Sequence, residues 1–273
     1  MSDHVRPFLT PISEVLDTNN GEHLTTGAYI EICAKRYLMT NEHVARVMKQ
    51  HPITHQLCGS NDVIRSVNPM VACPAPIDVA LAAIDDGIWA HCAHNAAPIP
   101  LSRFAVTHRP VPGELLFTVG YGGSHSKFLF DTLVSPASPY LTREAQMLAT
   151  HGDPAYHFAL PYAPDRALSP EAHPRGLPTP PGMSGSLVWN THFVELIRAR
   201  ARADWSPSMA QVTGLVWGWP DVYLIATKVE HLPLKHLAIE ASAQQRKRSQ
   251  DQPALKPPST SSGTPSLSSP PGT

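Results

Sequence analysis

Short apolar runs separated by turn residues follow one another along most of the chain. Runs of about four to eight aliphatic, aromatic or β-branched residues bounded by Gly, Pro, Asn or Asp are typical of β-strands. Many short strands at this spacing favour an all-β barrel or sandwich over a helix bundle. The predicted strands cover residues 27–32, 36–39, 79–84, 115–119, 186–189, 212–217 and 223–226.

Two later segments have a helical pattern. Residues 192–205 carry Phe193, Leu196 and Ile197, followed by alternating Arg and Ala. Residues 230–244 carry Leu at 232, 234 and 237 and Ile at 239. This second pattern predicts a C-terminal helix that docks on the body of the protein.

The composition changes near residue 245. Residues 246–248 are Arg-Lys-Arg, and a run dominated by Pro and Ser follows them to residue 273. Such a segment buries too little apolar surface to offset the entropy of ordering it. We predict a disordered tail over residues 245–273, with a docking or tethering arm as the functional alternative.

Length and charge narrow the class of protein. The 273 residues suffice for one large domain or two packed subdomains, and the net charge of −1 gives no reason to expect nucleic acid or membrane as a partner. No basic segment followed by an apolar run opens the chain, so we expect no secretory signal and a cytoplasmic protein. The four cysteines are then expected to be reduced and buried: Cys33, Cys58, Cys73 and Cys92.

A serine lies between glycines in the segment 181–186, Pro-Gly-Met-Ser-Gly-Ser. A serine hydroxyl needs a base to take its proton and donors to hold the oxyanion that forms. Glycines let the backbone approach a substrate closely and adopt conformations that other residues resist. Ser184 is therefore a candidate nucleophile, with a flexible Gly/Ser turn as the alternative.

Two other segments supply the partners that such a serine needs. His43 follows the predicted strand 36–39 at the start of a short helical turn. Asp78 enters the apolar strand 79–84, where a buried carboxylate needs a partner. A carboxylate bonded to imidazole fixes its tautomer and stabilises the imidazolium. Taken singly, an ordinary histidine and a turn aspartate are the alternatives.

The three candidates occur in the order His43, Asp78, Ser184, with about 35 and about 106 residues between them. This order is that of chymotrypsin and differs from those of subtilisin and the α/β-hydrolases. The sequence resembles trypsin-like serine peptidases of the chymotrypsin fold, and most closely their bacterial, disulfide-poor members. The resemblance rests on segments 37–44, 78–81 and 182–186, with support from 113–114, 119–122 and 212–216.

The resemblance implies an all-β fold of two packed six-stranded antiparallel β-barrels with the catalytic triad at their interface. It places His43 and Asp78 on an N-terminal barrel over residues 1–110. It places Ser184 on a C-terminal barrel over residues 111–244, together with the C-terminal helix. The disordered tail follows.

The same resemblance implies roles for further positions. The backbone N–H groups of Gly182 and Ser184 would form the oxyanion hole. The stretch that contains Pro178 would line one wall of the primary specificity pocket, and because it holds no carboxylate, a strict preference for Lys or Arg is not expected. Trp217 and Trp219 would line the peptide groove or belong to the core.

Two departures from the family pattern concern regulation. Met183 stands where many secreted relatives have an Asp that receives a new N-terminus after zymogen cleavage, so that mode of activation is not expected. Residues 191–209 replace what is usually a short hairpin. They are a place for contact with a regulatory protein, or a neutral surface helix.

The predicted function is that of a serine endopeptidase. It would hydrolyse a protein or peptide substrate through an acyl-enzyme on Ser184, with His43 as base and Asp78 orienting His43, and would need no cofactor and no metal. One alternative is a protease-like module that binds peptides or proteins with little or no turnover. Another is a protease that a regulatory protein partner activates.

Overall fold

The structure of the protein, a computed structural model, describes residues 1–16, 21–48, 52–90, 92–129, 132–164 and 177–251. Its α-helices are α1 (Ser2–Val5), α2 (Glu42–Met48), α3 (Asp86–Trp89), α4 (Phe193–Arg198) and α5 (Leu234–Asp251). Its strands are β1 (Leu9–Val15), β2 (Gly21–Ile32), β3 (Lys35–Thr40), β4 (Ile53–Gln56), β5 (Val63–Arg65), β6 (Val71–Cys73), β7 (Val79–Ala83), β8 (Ile99–Pro100), β9 (Leu116–Tyr121), β10 (Lys127–Leu129), β11 (Thr132–Val134), β12 (Ala137–Thr142), β13 (His157–Pro161), β14 (Leu187–Asn190), β15 (Gln211–Gly218) and β16 (Tyr223–Lys228). Short 3-10 helices cover Arg6–Phe8, Leu101–Arg103, Gly123–His125, Arg202–Asp204, Pro207–Met209 and Val229–His231.

The first sheet contains, within the described residues, eight strands in the order β5-β4-β1-β2-β3-β7-β6, with β8 paired in parallel to β2. A two-residue turn at Cys33 and Ala34 joins β2 to β3, and both residues have left-handed φ angles of 51° and 58°. This backbone matches the twist of the flanking strands, so the turn closes a tight hairpin. The hairpin carries the chain directly into α2 and His43.

The second sheet has, in the same part of the chain, six antiparallel strands in the order β12-β9-β14-β15-β16-β13. The predicted all-β fold class is confirmed: two antiparallel sheets with a C-terminal helix are consistent with a chymotrypsin-like fold of two barrels. All seven predicted strands are found. The first sheet has two strands more than the predicted six; its shortest strands are β5, at one edge, and the two-residue β8, which pairs with the inner strand β2.

An apolar core joins the two sheets. Met39 and Leu81 of the first sheet belong to one buried cluster with Trp189 and Leu215 of the second. Leu38, next to Met39, belongs instead to a second cluster inside the first sheet. Successive strand residues point to opposite faces, so one strand serves both the interior of its own sheet and the junction between the sheets.

Helix α5 follows the second sheet in the chain but packs on the first. Its buried residues recur every three or four positions, which gives it one apolar face: Leu234, Leu237, Ala238, Ala241 and Ser242. The Tyr37 hydroxyl lies 2.8 Å from Ser242 Oγ and donates to the carbonyl of Ala238 at 3.3 Å. The predicted domain boundaries at residues 110 and 244 remain predictions.

The predicted limits of the two helices need correction. Helix α5 begins at Leu234 and continues to Asp251, so residues 245–251 are helical and the prediction of a tail there was wrong. Gln, Lys and Arg favour helix, and the docked apolar face before them supports the last turns. The rest of the predicted tail, residues 252–273, lies outside the described residues.

The segment 192–205 is helical over a shorter range than predicted. Helix α4 ends at Arg198, and Arg200 has a left-handed φ of 58°. The N–H groups of Arg200 and Ala201 donate back to the carbonyls of Ile197 and Leu196 at 3.0 and 2.8 Å. This pattern of bonds terminates a helix.

All four cysteines are unpaired thiols. Cys33 is exposed at the β2–β3 turn, and the other three are only partly buried, so the interpretation of the cysteines as buried was wrong for Cys33 and holds only in part for Cys58, Cys73 and Cys92. None of the helices in the described part of the chain is both long and apolar enough to cross a membrane.

Candidate active site

His43 and Asp78 form a hydrogen-bonded pair at one end of the first sheet. His43 Nδ1 lies 2.7 Å from Asp78 Oδ2, and the backbone N–H of His43 donates to Asp78 Oδ1 at 3.0 Å. His43 thus forms hydrogen bonds with both oxygens of the Asp78 carboxylate. A carboxylate only accepts, so Nδ1 carries the proton and Nε2 keeps its lone pair. Nε2 is the nitrogen that could act as a base.

Asp78 is held by its backbone as well as by its side chain. It is buried at 6% exposure and has a left-handed φ of 54°, an unfavourable conformation for a residue other than glycine. The side-chain amide of Asn41, which is fully buried, donates to the Asp78 carbonyl at 2.8 Å. Asn41 lies between β3 and α2, so the segment that carries His43 also anchors the peptide of Asp78.

The loop that carries Ser184 is tied to strand β2 of the first sheet. The Ser184 carbonyl accepts hydrogen bonds from the Thr26 N–H at 3.0 Å and the Thr25 hydroxyl at 2.6 Å. The Thr26 hydroxyl donates in turn to the Gly182 carbonyl at 2.8 Å. The nucleophile candidate of the second sheet is therefore fixed on the sheet that carries His43 and Asp78.

Gly185 shows how close this approach is. A Cβ atom here would clash with the Thr26 carbonyl and lie 2.7 Å from Thr40 Oγ1, and the φ angle is +80°. Glycine is required for both reasons. Thr40 stands three residues before His43, so the Ser184 loop packs against the strand end that leads to the histidine.

The Ser184 hydroxyl is bonded to a main-chain carbonyl in this structure. It donates to the carbonyl of Trp217 at 3.4 Å, and in the part of the chain that the structure describes no hydrogen bond joins it to His43. Trp217 lines a cavity of about 580 Å³ together with His43, Asp78 and His157. The structure thus brings His43 to Asp78 and places Ser184 beside a wall of their cavity.

Some backbone N–H groups of the Ser184 loop have an acceptor among the described residues and others do not. The N–H groups of Met183, Gly185 and Ser186 donate to the carbonyls of residues 180, 216 and 183 at 2.8, 2.8 and 3.1 Å. Those of Gly182 and Ser184 donate to no acceptor among the described residues. Gly182 has a φ angle of +94°. Two free donors flank Met183.

The three predicted substrate-contacting residues have different environments. Pro178 is buried, packs against Gly122, and accepts a hydrogen bond from the Tyr162 hydroxyl at 2.8 Å. Trp217 faces the cavity of His43. Trp219 is 46% exposed just beyond β15 and does not line that cavity.

His23, which the sequence did not single out, lies against the same loop. A Cβ atom on Gly182 would lie 2.8 Å from His23 Nε2, and that nitrogen lies 2.7 Å from the Tyr121 carbonyl. Burial lowers the pKa of His23 to about 4, so the ring is neutral near pH 7 and donates from Nε2. Its position depends on the pairing of distant segments, which no local motif reveals.

A search of the described residues for three or more His, Cys, Asp or Glu side chains arranged to hold a metal finds no such group. The chemistry open to this site is proton transfer by His43 and nucleophilic attack by Ser184. Both need only the side chains and backbone donors already described.

Comparison with known proteins finds no matching protein-family model and no matching curated protein. Similar solved structures include the MamO protease domain from Magnetospirillum magneticum, at 13% identity and a TM-score of 0.49, covering 86% of this chain and 98% of that one. A human pathogenic astrovirus serine protease gives 10% identity and a TM-score of 0.43, covering 83% and 91%. A chain from a study of the intrinsically disordered Sesbania mosaic virus VPg protein gives 12% identity and a TM-score of 0.45, covering 83% and 90%. Likenesses this distant decide nothing about the chemistry of this chain.

Proposed function

We propose that the protein is a serine endopeptidase with Ser184, His43 and Asp78 as its catalytic triad. The observation that carries this proposal is the His43–Asp78 pair, in which both carboxylate oxygens are bonded to residue 43 at 2.7 and 3.0 Å. That pairing leaves Nε2 of a partly exposed ring as a base at the edge of a cavity. Ser184 is anchored to the same sheet, and within the described part of the chain its own N–H and that of Gly182 have no acceptor.

The reaction follows from these groups. Ser184 Oγ attacks the substrate carbonyl while His43 Nε2 takes its proton, and Asp78 stabilises the imidazolium that results. The N–H groups of Gly182 and Ser184 hold the oxyanion of the tetrahedral intermediate. His43 then gives the proton to the leaving amine. Water, deprotonated by the same nitrogen, releases the acyl group and restores the serine.

The bond from the Ser184 hydroxyl to Trp217 is compatible with this chemistry. At 3.4 Å it is longer than the usual range of about 2.5–3.0 Å for a bond between oxygens, so it is weak. Rotation about the Cα–Cβ bond moves the hydroxyl away from that carbonyl. Catalytic hydrogen bonds are often loose in the absence of substrate and tighten when it binds.

The same bond favours a second candidate function, a protease that a partner protein or a substrate activates. In that case the Ser184 hydroxyl stays on the Trp217 carbonyl until binding shifts the loop. Residues 191–209, which include the short helix α4, supply a surface for such contact. The triad residues and their roles are the same in both candidates.

Labelling with a fluorophosphonate probe tests the proposal, because the probe reacts covalently only with an activated serine. We expect the wild-type protein to be labelled at Ser184 and Ser184→Ala to be unlabelled. Ser186→Ala is the matched control, a buried serine of the same loop that should leave labelling unchanged. Asp78→Asn should slow labelling by about 10⁴-fold, because the imidazole loses its orienting carboxylate.

The outcomes separate the candidates. A folded wild-type protein that the probe does not modify, with or without peptide ligands, excludes the triad and leaves a binding module. Labelling that appears only when a peptide or protein ligand is added supports the activated protease. Labelling in Ser184→Ala would place the nucleophile elsewhere.

A further inference from the structure

The segment just before Asp78 belongs to the first half of the chain, yet it is bonded to the second sheet. His157 Nε2 lies 2.6 Å from the Pro76 carbonyl, and the Thr227 hydroxyl donates to the Ile77 carbonyl at 2.9 Å. His157 and Thr227 are direct partners across β13 and β16. One cross-strand pair therefore holds two consecutive carbonyls, and the next residue in the chain is Asp78.

His157 is itself fixed in one tautomer and one orientation. Its Nδ1 accepts a hydrogen bond from the Asp153 N–H at 3.1 Å, so Nε2 must carry the proton that it donates to Pro76. The side chain is buried at 5% exposure, and its ring lies 5.1 Å from the ring of Trp217. Thr227 is fully buried. Neither His157 Nε2 nor the Thr227 hydroxyl has another hydrogen-bond partner among the described residues.

Asp78 needs such support because its backbone is strained. A residue other than glycine with a φ of 54° keeps that conformation only where the neighbouring structure enforces it. The Asp78 carbonyl is held from the first sheet by Asn41, and the two peptides before it are held from the second sheet. If the second set of bonds is lost, the strained residue can relax and its carboxylate can move away from His43.

We infer that His157 and Thr227 are positioning residues that set the place of the Asp78 carboxylate against His43. The second sheet carries Ser184, so the same sheet that presents the nucleophile also holds the acidic end of the triad. Only the catalytic consequence of this inference rests on the proposed function. The effect on the His43–Asp78 hydrogen bond does not.

The test uses the NMR signal of the His43 Nδ1 proton in the full-length protein, together with its rate of exchange with water. Thr227→Val keeps the shape of the side chain and removes the donor. We expect it to shift the signal upfield and to speed exchange about five- to tenfold, as expected for the loss of one hydrogen bond. Thr227→Ser restores the hydroxyl and should restore the signal. Thr118→Val is the matched control, because the buried Thr118 hydroxyl has no partner in the described structure.

A second variant tests whether the effect on the His43 signal is limited to Thr227. His157→Phe retains a ring to pack on Trp217 and removes the bond to Pro76, and should change the His43 signal in the same direction. Where the protein hydrolyses a substrate, both variants should lower kcat about five- to tenfold. Thr227→Val should do so with little change in KM, because Thr227 is fully buried and acts through Asp78 and not on substrate binding.

The results distinguish this inference from the proposed function. Thr227→Val and His157→Phe variants with the His43 signal and exchange rate of Thr118→Val would overturn the positioning role, even if hydrolysis persists. A signal that shifts as expected in a protein that never reacts with fluorophosphonate would support the positioning role and overturn the proposed function. Loss of hydrolysis with an unchanged His43 signal also overturns the positioning role.

Discussion

His55 shows how burial sets the charge of a single residue. Its side chain lies in the first sheet at 3% exposure, with Nδ1 2.8 Å from the Tyr29 hydroxyl. Burial lowers the pKa of His55 to about 4. The unfolded chain has an ordinary histidine pKa of about 6.5. Between these two values the unfolded protein binds a proton that the folded protein does not.

This difference predicts that stability falls with acid. The pKa of His55 is depressed in the folded state. Its contribution to the free energy of unfolding, about 3 kcal/mol, is therefore complete above pH 6.5 and is lost as the pH falls towards 4. Urea unfolding between pH 7 and pH 4.5 measures it. In His55→Gln the free energy of unfolding should depend on pH less steeply, by about one proton or ~1.4 kcal/mol per pH unit. His236→Gln, at an exposed position on α5, is the control. Equal slopes in the two variants would contradict this prediction.

At this scale the sequence identified the residues with a local signal and missed those without one. The pairing of His43 with Asp78 could be anticipated because His43 closely follows the apolar strand β3, Asp78 immediately precedes the apolar strand β7, and these strands are neighbours in the sheet. His157 and Asn41 act only through contacts with segments far along the chain. No spacing or motif marks them, so the support of the site became visible only in three dimensions.

Helix α4 depends on one buried carboxylate. Glu114, at 2% exposure, accepts hydrogen bonds from the N–H groups of Val194 and Glu195, both at 3.0 Å, and from the Thr191 hydroxyl at 3.1 Å. Burial alone raises the pKa of Glu114, but these donors outweigh it and hold the pKa below its usual range. The helix has six residues and needs such a cap to satisfy its first N–H groups.

Glu114→Gln should therefore destabilise the protein by about 1–3 kcal/mol at pH 7, because a neutral amide accepts these bonds less strongly and brings its own donors among them. A lowered carboxyl pKa gives stability that is present above the unfolded pKa and lost as the pH falls. The variant and the wild type should therefore converge towards pH 3. Urea unfolding at both pH values measures this. Glu195→Gln, whose side chain is 54% exposed, is the control and should change little. A difference that does not narrow between pH 7 and pH 3 would show that the carboxylate charge is not the cause.

The strands were predicted more accurately than the ends of the two helices, because neighbouring residues in the sequence mark where several strands end. Several strands end at or just before Gly, Pro or Asn, as β3 does before Asn41, β9 before Gly122 and β14 at Asn190, and apolar runs between such residues mark them. The end of α4 is set by a left-handed Arg200, and arginine carries no signal for that conformation. The end of α5 depends on the docking of this helix on the first sheet, which the first half of the chain forms. The limit of α5 was wrong because a tertiary contact decided it, and the limit of α4 was wrong because a local backbone conformation without a sequence signal decided it.

The molecule as a whole is joined by one core that draws on three parts of the chain. Leu81 of the first sheet, Trp189 of the second and Leu237 of α5 belong to the same buried cluster. Hydrogen bonds between the sheets at Thr26 and at Pro76 fix the candidate site on that junction. A disturbance of any part of this core therefore reaches the others, and we expect the two sheets to unfold together.

Leu237→Ala tests that cooperativity from the element farthest along the chain. Leu237 is 2% exposed, and truncation of a buried leucine leaves a cavity that costs about 2–5 kcal/mol. Ile239→Ala, at 70% exposure two positions further on the same helix, is the control and should change stability by less than about 0.5 kcal/mol. Urea unfolding is followed by far-ultraviolet circular dichroism and by tryptophan fluorescence, to which the buried Trp189 of the second sheet contributes. If α5 shares the core of both sheets, Leu237→Ala lowers the midpoint equally by both probes. If α5 were an appendage of the first sheet alone, the part of the fluorescence change that comes from Trp189 would keep its wild-type midpoint.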